Sequence, residues 1–428
     1  MHVLIYLHHP AHFYLFKHTI RKLKADGHRL TLIATKKDVL EDLLRKEGLE
    51  YRNFLPHGRK DNKWSIALGL LKQDLRLVAH CLRDRPDLMI GTSTEICHVG
   101  WLLRIPNIFV NEDDAAIVPL VDKLAHPFAK HLLAPEVCVT GRPGKTITYA
   151  GNHELAYLHP DLFTPDPAVK QRYIPENTPY FLLRFAKLGA HHDTNAKGIS
   201  DAIARKLIEL LEPHGRVYIT SERALAPEFE PYRLNIHPID IHHIMAFSSL
   251  FIGDSQTMSA ESGVLGVPFI RFNAFAGKIG YLVELEEKYR LGVSIHPDNE
   301  EALYQQVTIW LPLLHDRQHW EAKRQRFLHD KIEVASFMTR LIESGNGRGR
   351  DEGRGARDEG KTRDRDRDRG TWDEGRGTRD EGKTRDRDRD RGTWDEGRGE
   401  DARPRDVGRG TRERRETETE GRGKKDAR

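Results

Sequence analysis

Cysteine is scarce in this chain: three residues, Cys81, Cys97 and Cys138, among 428. They lie far apart without C-x-x-C spacing. That leaves neither a disulfide framework nor a zinc knuckle, and it suits a reducing, cytoplasmic setting. No run of about 18 uncharged apolar residues occurs, so no segment reads as a membrane-spanning helix. Met1 leads straight into His-Val-Leu-Ile-Tyr-Leu, which lacks the basic n-region and long apolar core of a signal peptide. A large charge of one sign is missing too, with 69 Lys+Arg against 65 Asp+Glu and a net +4. Charge alone therefore marks no nucleic-acid binder, and no specific nucleic-acid partner is expected.

These averages hide two unlike parts. Residues 345–428 carry 27 Lys+Arg and 24 Asp+Glu but only six apolar residues. Within them RDEGKTRDRDRDRGTWDEGRG runs over 357–377 and again over 379–399, a period of 22. Each unit has one tryptophan, Trp372 or Trp394, and no other large apolar side chain. Such repeats have nothing to bury between them, so the tail is expected to be disordered. The first 344 residues are nearly neutral and long enough for two cores.

In that body short apolar runs alternate with amphipathic stretches. Apolar residues 3–7 read as a strand ending at His8-His9-Pro10. Phe13, Phe16, Ile20 and Leu23 recur at helical spacing and stop at Gly27. Further strands are expected at 30–34, 87–91 and 108–110, with helices at 38–46, 64–85 and 96–103. Prolines 160, 165, 167 and 175 interrupt the pattern, as in an interdomain connection. It then resumes, with strands at 180–185, 216–220, 233–236, 250–253 and 267–271 and helices at 196–211, 241–247 and 258–265. Repeated β-α units imply parallel sheets covered by helices, with ligands beyond the carboxyl ends of the strands. The expected organisation is an α/β chain of two Rossmann-like, doubly wound halves facing across a cleft. Residues 1–155 form the first, 156–176 a Pro-rich connection, 177–344 the second and 345–428 the tail.

The most informative stretch is LFIGDSQTMSAESGVLGVPFIR, residues 250–271. A strand ends at Gly253, a small polar turn follows, and a helix begins. Free N–H groups and the positive end of the helix dipole suit a phosphate there. Ser255 and Thr257 add hydroxyls, and Glu261, one turn on, suits a ribose diol. The plain alternative is an ordinary N-cap.

This stretch resembles the nucleotide-binding motif of GT-B-fold sugar-nucleotide enzymes. UDP-N-acetylglucosamine 2-epimerases carry Asp-Ser-Gly-Gly-x-x-Glu-Glu before Leu-Gly-x-Pro. Asp254, Ser255, Glu261 and Leu265-Gly266-x-Pro268 match, while Gln256 and Thr257 replace the glycines. More closely, residues 1–310 resemble an uncharacterised prokaryotic family, domain-of-unknown-function family 354, itself regarded as GT-B-like. The likeness rests on His9-Pro10-Ala11-His12 with Phe16-Lys17, Gly27-His28, Ala156-Tyr157-Leu158-His159-Pro160, Phe163-Thr164-Pro165-Asp166-Pro167, Arg184-Phe185, and Thr257-Met258 with Glu261. It implies nucleotide binding at Ser255, Gln256 and Thr257, with Glu261 on the ribose. The departures also carry information. Thr92 stands where the epimerases have a catalytic aspartate. Asn111-Glu112-Asp113-Asp114 stands where the uncharacterised family has Asp-Thr-Glu-His.

Several residues beyond the first-half strands can move a proton. His9 and His12, with the neighbouring His8, suit a general base for an acceptor hydroxyl, and Glu112 or Asp113 can serve or orient it. Plain strand termination is the alternative for the histidines. His8 and His12 have i,i+4 spacing, but Pro10 argues against a helical metal pair, and no metal is expected. Arg184 ends the second half's first strand, where its forked donors suit a diphosphate or a salt bridge. His237 falls where GT-B enzymes hold the nucleobase. His191-His192 and His242-His243 read as surface or loop pairs. Gly141-Arg-Pro-Gly-Lys-Thr146 only imitates a P-loop, since Val139 replaces the first glycine and a strand-like run follows. Residues 64–85 form an amphipathic helix that covers a sheet face or docks on a membrane bearing a lipid-linked acceptor. The expected function is a glycosyltransferase-like one. A nucleotide-diphosphate sugar is the substrate and no cofactor is required; a glycan or lipid-linked molecule is the acceptor. A catalytically silent sugar-nucleotide or glycan binder is the alternative, and a sugar-nucleotide epimerase a lesser one.

Overall fold

The computed structural model describes residues 1–35, 39–55, 63–186 and 198–345. The repeat tail and His191-His192 lie outside the described residues. The first sheet contains β1 (His2–Leu7), β2 (Arg29–Thr35), β3 (Arg52–Leu55), β4 (Leu88–Gly91), β5 (Asn107–Val110), β6 (His131–Pro135) and β7 (Thr146–Tyr149). The second contains β8 (Tyr180–Phe185), β9 (Arg216–Ser221), β10 (Leu250–Gly253), β11 (Phe269–Phe272) and β12 (Gly292–Ile295). Every ladder is parallel. Helices α1 (Pro10–Ala25), α2 (Leu40–Lys46), α3 (Lys63–Arg83), α4 (Thr94–Leu103) and α5 (Pro119–Leu124) accompany the first sheet. Next come α6 (Pro167–Tyr173), α7 (Asp201–Leu211), α8 (Ile241–Ala246), α9 (Gln256–Val264), α10 (Gly280–Val283) and α11 (Glu300–Trp310). Two further helices, α12 (Arg317–Asp330) and α13 (Val334–Glu343), close the described chain.

The strand orders are β3-β2-β1-β4-β5-β6-β7 and β12-β11-β10-β8-β9. Each order reverses once, between β1 and β4 and between β8 and β10, and a reversal opens a crevice at the carboxyl ends. A glycine ends one strand at each reversal. A Cβ on Gly91 would meet the Tyr6 carbonyl at 2.7 Å, and one on Gly253 would meet the Arg184 Cβ at 2.8 Å. Only glycine lets these strand pairs approach so closely.

One continuous core joins the sheets, from Val3 and Ile5 through Leu155 and Tyr157 to Phe251 and Val264. Residues 334–343, grouped by sequence with the second half, pack on α1: Thr19 Oγ1 donates to Ala335 O at 3.5 Å, and Lys22 pairs with Glu333 at 3.6 Å. The strand expected at 233–236 is reduced to a single bridge between Arg233 and Ile219. Leu234 N donates to Ile219 O at 2.9 Å, and the chain then leaves the sheet edge for the turn 238–240.

Amphipathic α3 does not bury the whole stripe of its pattern. Leu77 and Cys81 enter the core, but Leu68, Leu71, Leu75 and Leu82 are 54–69% exposed. Among the described residues no helix is long and apolar enough to cross a membrane. Lys145 is followed by β7, which begins at Thr146, and not by a helix, which leaves the P-loop-like stretch without its helix N-terminus.

Candidate functional site

Polar groups gather at both strand-order reversals. At the first, β1 gives way to His8 and His9, and β4 to Thr92. The Thr92 hydroxyl lies 2.7 Å from His12 Nδ1, and the His8 and His12 rings stack at 5.7 Å. His9 caps α1, its Nδ1 accepting from Ala11 N at 3.2 Å, with Pro10 at the first helical position. At the second reversal, Asp254 follows β10 and is 4% exposed. Its Oδ1 accepts from Ala186 N at 2.6 Å, tying the end of β10 to the end of β8. Burial pushes the Asp254 carboxyl up to about 6. Ser255 caps α9, its Oγ accepting from Met258 N at 3.3 Å, and half-buried Gln256 and Thr257 form the first turn.

Between the reversals lies a buried acidic and aromatic cluster drawn from both halves and their connection. Glu261 on α9 is 5% exposed, and its Oε1 accepts from Tyr157 Oη at 2.8 Å. His242 Nε2 reaches the same oxygen at 2.9 Å. Tyr14 on α1 donates to the Pro238 carbonyl at 3.0 Å. Glu112, just past β5, is 14% exposed; its Oε1 accepts from His153 N at 2.7 Å and its Oε2 lies 3.2 Å from His153 Nδ1. Glu154, 1% exposed, lies close enough to Glu112 for the two carboxyls to interact. Burial and mutual repulsion raise Glu112 well above the usual carboxylate range, and burial raises Glu154 to about 8. Burial lowers His153 to about 3. The pair therefore holds a proton at neutral pH beside a neutral imidazole. Tyr149, Tyr157 and Tyr281 close around these carboxyls, each at most 4% exposed. Asp114 ties the halves together, its Oδ1 accepting from Val139 N at 2.6 Å and its Oδ2 from Gly280 N at 2.9 Å.

Residues 1–284 match the family model described as "Protein of unknown function (DUF354)". The chain belongs to this family. No curated protein matches the DUF354 chain in sequence. Among solved structures it is similar to the UDP-GlcNAc 2-epimerase of Neisseria meningitidis bound to UDP-GlcNAc, at 13% identity over 81% of this chain and 99% of that one, TM-score 0.56. It is also similar to the Methanocaldococcus jannaschii UDP-GlcNAc 2-epimerase in complex with UDP-GlcNAc and UDP (16%, 73% and 93%, TM-score 0.56). The calicheamicin glycosyltransferase CalG4 is a third (14%, 81% and 98%, TM-score 0.53). At these identities the likeness establishes a GT-B-like α/β fold.

In the DUF354 fold the residues singled out from sequence fall into two groups. His9, His12, Glu112 and Asp113 follow first-sheet strands. Arg184, His237, Ser255, Gln256, Thr257 and Glu261 belong to the second-sheet side. Arg184 forms an ion pair with Glu222 beyond β9. Its Nε is buried with no partner among the described residues. His237 caps the turn 238–240, its Nδ1 accepting from Ile239 N at 3.3 Å. His242, read from sequence as a surface or loop residue, is instead 3% exposed, because α8 packs against α9 and carries it onto Glu261. Sequence reasoning also missed Glu154 and His153. The only signal was a charged pair in a segment whose proline-rich continuation reads as surface. Among the described residues no group of three or more His, Cys, Asp or Glu is arranged to hold a metal ion.

Proposed function

We propose that this DUF354 protein binds a nucleotide-diphosphate sugar on its second sheet and transfers the sugar to a hydroxyl of a glycan or lipid-linked acceptor held at its first. The observation that carries this reading is the pairing of two polar crevices at the two strand-order reversals. One ends in the α9 N-terminus and the other in a Thr92-held histidine. Parallel α/β sheets bind ligands at such reversals, and helix N-termini favour phosphate. In this reading Gln256, Thr257 and Arg184 face the diphosphate, Glu261 the ribose and His237 the base. His12 takes the acceptor proton. Glu112, its carboxyl raised by burial and by Glu154, serves as a donor and not as a base. Support comes from the solved neighbours, which include glycosyltransferases and epimerases crystallised with UDP-GlcNAc or UDP. The exposed leucines of α3, with Lys72 and Arg83 beside them, support peripheral contact with a membrane that carries the acceptor, as in polysaccharide biosynthesis.

The test is thermal unfolding of the full chain against UDP, GDP, CDP, CMP and ADP. A ligand at about 100 times its Kd adds about 2.7 kcal/mol, a rise of a few degrees. One diphosphate is expected to do this in the wild type and not in Glu261→Gln. No shift with any nucleotide would refute the reading. A second reading, a catalytically silent sugar-nucleotide binder, is favoured by Thr92 in place of the epimerase aspartate. It predicts the same shift but no sugar transfer or hydrolysis.

A further inference from the structure

A cavity of about 270 Å³ opens between α1, the connection and α8. It stands apart from the α9 N-terminus, and the two residues that hold Glu261, Tyr157 and His242, form part of its wall. Its volume is near the lower end of the ~300–1,000 Å³ of small-molecule sites, room for one ring and not for a chain.

The cavity's charges cancel within the protein. Lys17 and Arg21 line it, but both are engaged by Glu47, Lys17 at 2.8 Å. Asp240 contributes a carboxylate to the same wall, already accepting from Tyr173 Oη at 2.7 Å. Against these two cations stand the carboxylates of Glu47 and Asp240, so an anionic ligand gains no net attraction and would face Asp240.

What remains are imidazoles. Burial with the nearby charges of Arg21 and Lys17 holds His18 down at about 4, and burial lowers His243, so both are neutral at pH 7. His243 Nδ1 accepts from Asp166 N at 3.0 Å, which leaves the ring proton on Nε2. His242 turns Nε2 to the Glu261 carboxylate, which leaves Nδ1 as its acceptor nitrogen. Both rings carry their proton on Nε2, but a different nitrogen is engaged in each, so His243 offers a donor and His242 an acceptor. Hydroxyl groups need both, whereas a phosphate needs donors only. Phe163 and Tyr14 add aromatic walls, their rings 4.8 Å from His243 and His242 respectively.

We infer that this cavity binds a single neutral saccharide ring, its hydroxyls read by His18, His242, His243 and Asp240 and its apolar face lying on Phe163 and Tyr14. The inference does not depend on a nucleotide at residues 255–257. The site serves an acceptor sugar if the transferase reading holds and a regulatory or carried sugar if it does not.

The experiment is ligand-observed NMR and calorimetry on the full chain. The probes are methyl α-glucoside, methyl α-mannoside, methyl α-galactoside and N-acetylglucosamine, with inorganic phosphate and pyrophosphate as competitors. At least one glycoside is expected to bind saturably in the millimolar range. His18→Ala and His243→Ala lie on different helices and are both half-buried, so each should weaken binding about tenfold while the unfolding temperature holds. Phosphate should not compete. Absence of saturable binding by every glycoside would overturn the inference, as would binding that survives both substitutions. Displacement by phosphate or pyrophosphate would also overturn it, by making the cavity an anion site. A nucleotide-panel failure with glycoside binding intact would remove the transferase reading alone.

Discussion

Tyr157 donates to Glu261 across the junction of the two halves at 2.8 Å, and His242 takes the same carboxylate oxygen. The carboxylate proposed to receive a ribose is thus already held by the connecting segment. A ligand that takes Glu261 Oε1 competes with Tyr157, and such competition links nucleotide binding to the position of the connection.

Replacing Tyr157 by phenylalanine removes the competing donor without changing the ring. A net hydrogen bond is worth about 0.5–1.5 kcal/mol, so the nucleotide found by the panel should bind Tyr157→Phe up to about tenfold more tightly. The same change leaves a buried carboxylate with one partner fewer and should cost about 1–3 kcal/mol of stability. Calorimetric titration and urea unfolding measure the two effects. Unchanged or weaker nucleotide binding would mean that Tyr157 and the ligand do not share Glu261.

The Glu112–Glu154 pair makes stability depend on pH in a definite direction. Both folded-state values lie above the ordinary 4.5, Glu154 at about 8. The folded state therefore holds more protons than the unfolded chain between about pH 4.5 and 8. Its stabilising effect is fully present below that window and is lost as pH rises through about 8. Glu154→Gln keeps the shape and removes the titration. Relative to wild type it should gain on the order of 1–3 kcal/mol between pH 5 and pH 9, read from urea unfolding at the two values. An equal difference at both would show that the pair does not titrate in that range.

The doubly wound plan was legible because its inner strands are short, mostly apolar runs, three of them with Gly91, Pro179 or Gly253 at an end. Residues 3–7, 88–91, 180–185 and 250–253 are of this kind. The outer strands were less so. Edge strand β3 reads Arg-Asn-Phe-Leu, and β6 ends in proline, so neither carries a buried-strand pattern. The two crevices were legible in outline, since polar residues after a strand mark its carboxyl end. The cluster between them was not. Glu112, Glu154 and Glu261 are 42 and 107 positions apart along the chain, and only the packing of β5, the connection and α9 brings them together. A lone glutamate in a sequence gives no sign that it will be buried against another.

His9 and His12, adjacent in the motif, have separable roles. His9 caps α1 through Nδ1. His9→Ser should keep the cap and nearly all activity, whereas His9→Ala should cost about 0.5–2 kcal/mol of stability. His12, held by Thr92, is the proposed base. His12→Ala should lower turnover of the donor sugar nucleotide by about 10²–10⁴-fold with nucleotide affinity retained. Equal losses in His9→Ser and His12→Ala would mean that the segment acts through its fold and not through a base.

Leu68, Leu71, Leu75 and Leu82 follow one another at steps of three, four and seven along α3, so they share one face. Each is more than half exposed although α3 has a buried face of its own at Gln73, Leu77 and Cys81. Lys72 and Arg83 are exposed on the same helix, the arrangement that draws a helix to anionic lipid. Burying a leucine side chain is worth about 1.5–3 kcal/mol, so losing two from a membrane contact should cost at least about tenfold in partitioning. The double variant Leu71→Glu, Leu75→Glu should therefore leave more protein in the supernatant and less with sedimented phosphatidylglycerol vesicles while its melting temperature stays near wild type, since neither side chain is part of the core. Binding to neutral vesicles should be weaker throughout. Cosedimentation of the variant equal to wild type would remove α3 as the membrane face and leave its leucines as exposed apolar surface without a lipid partner.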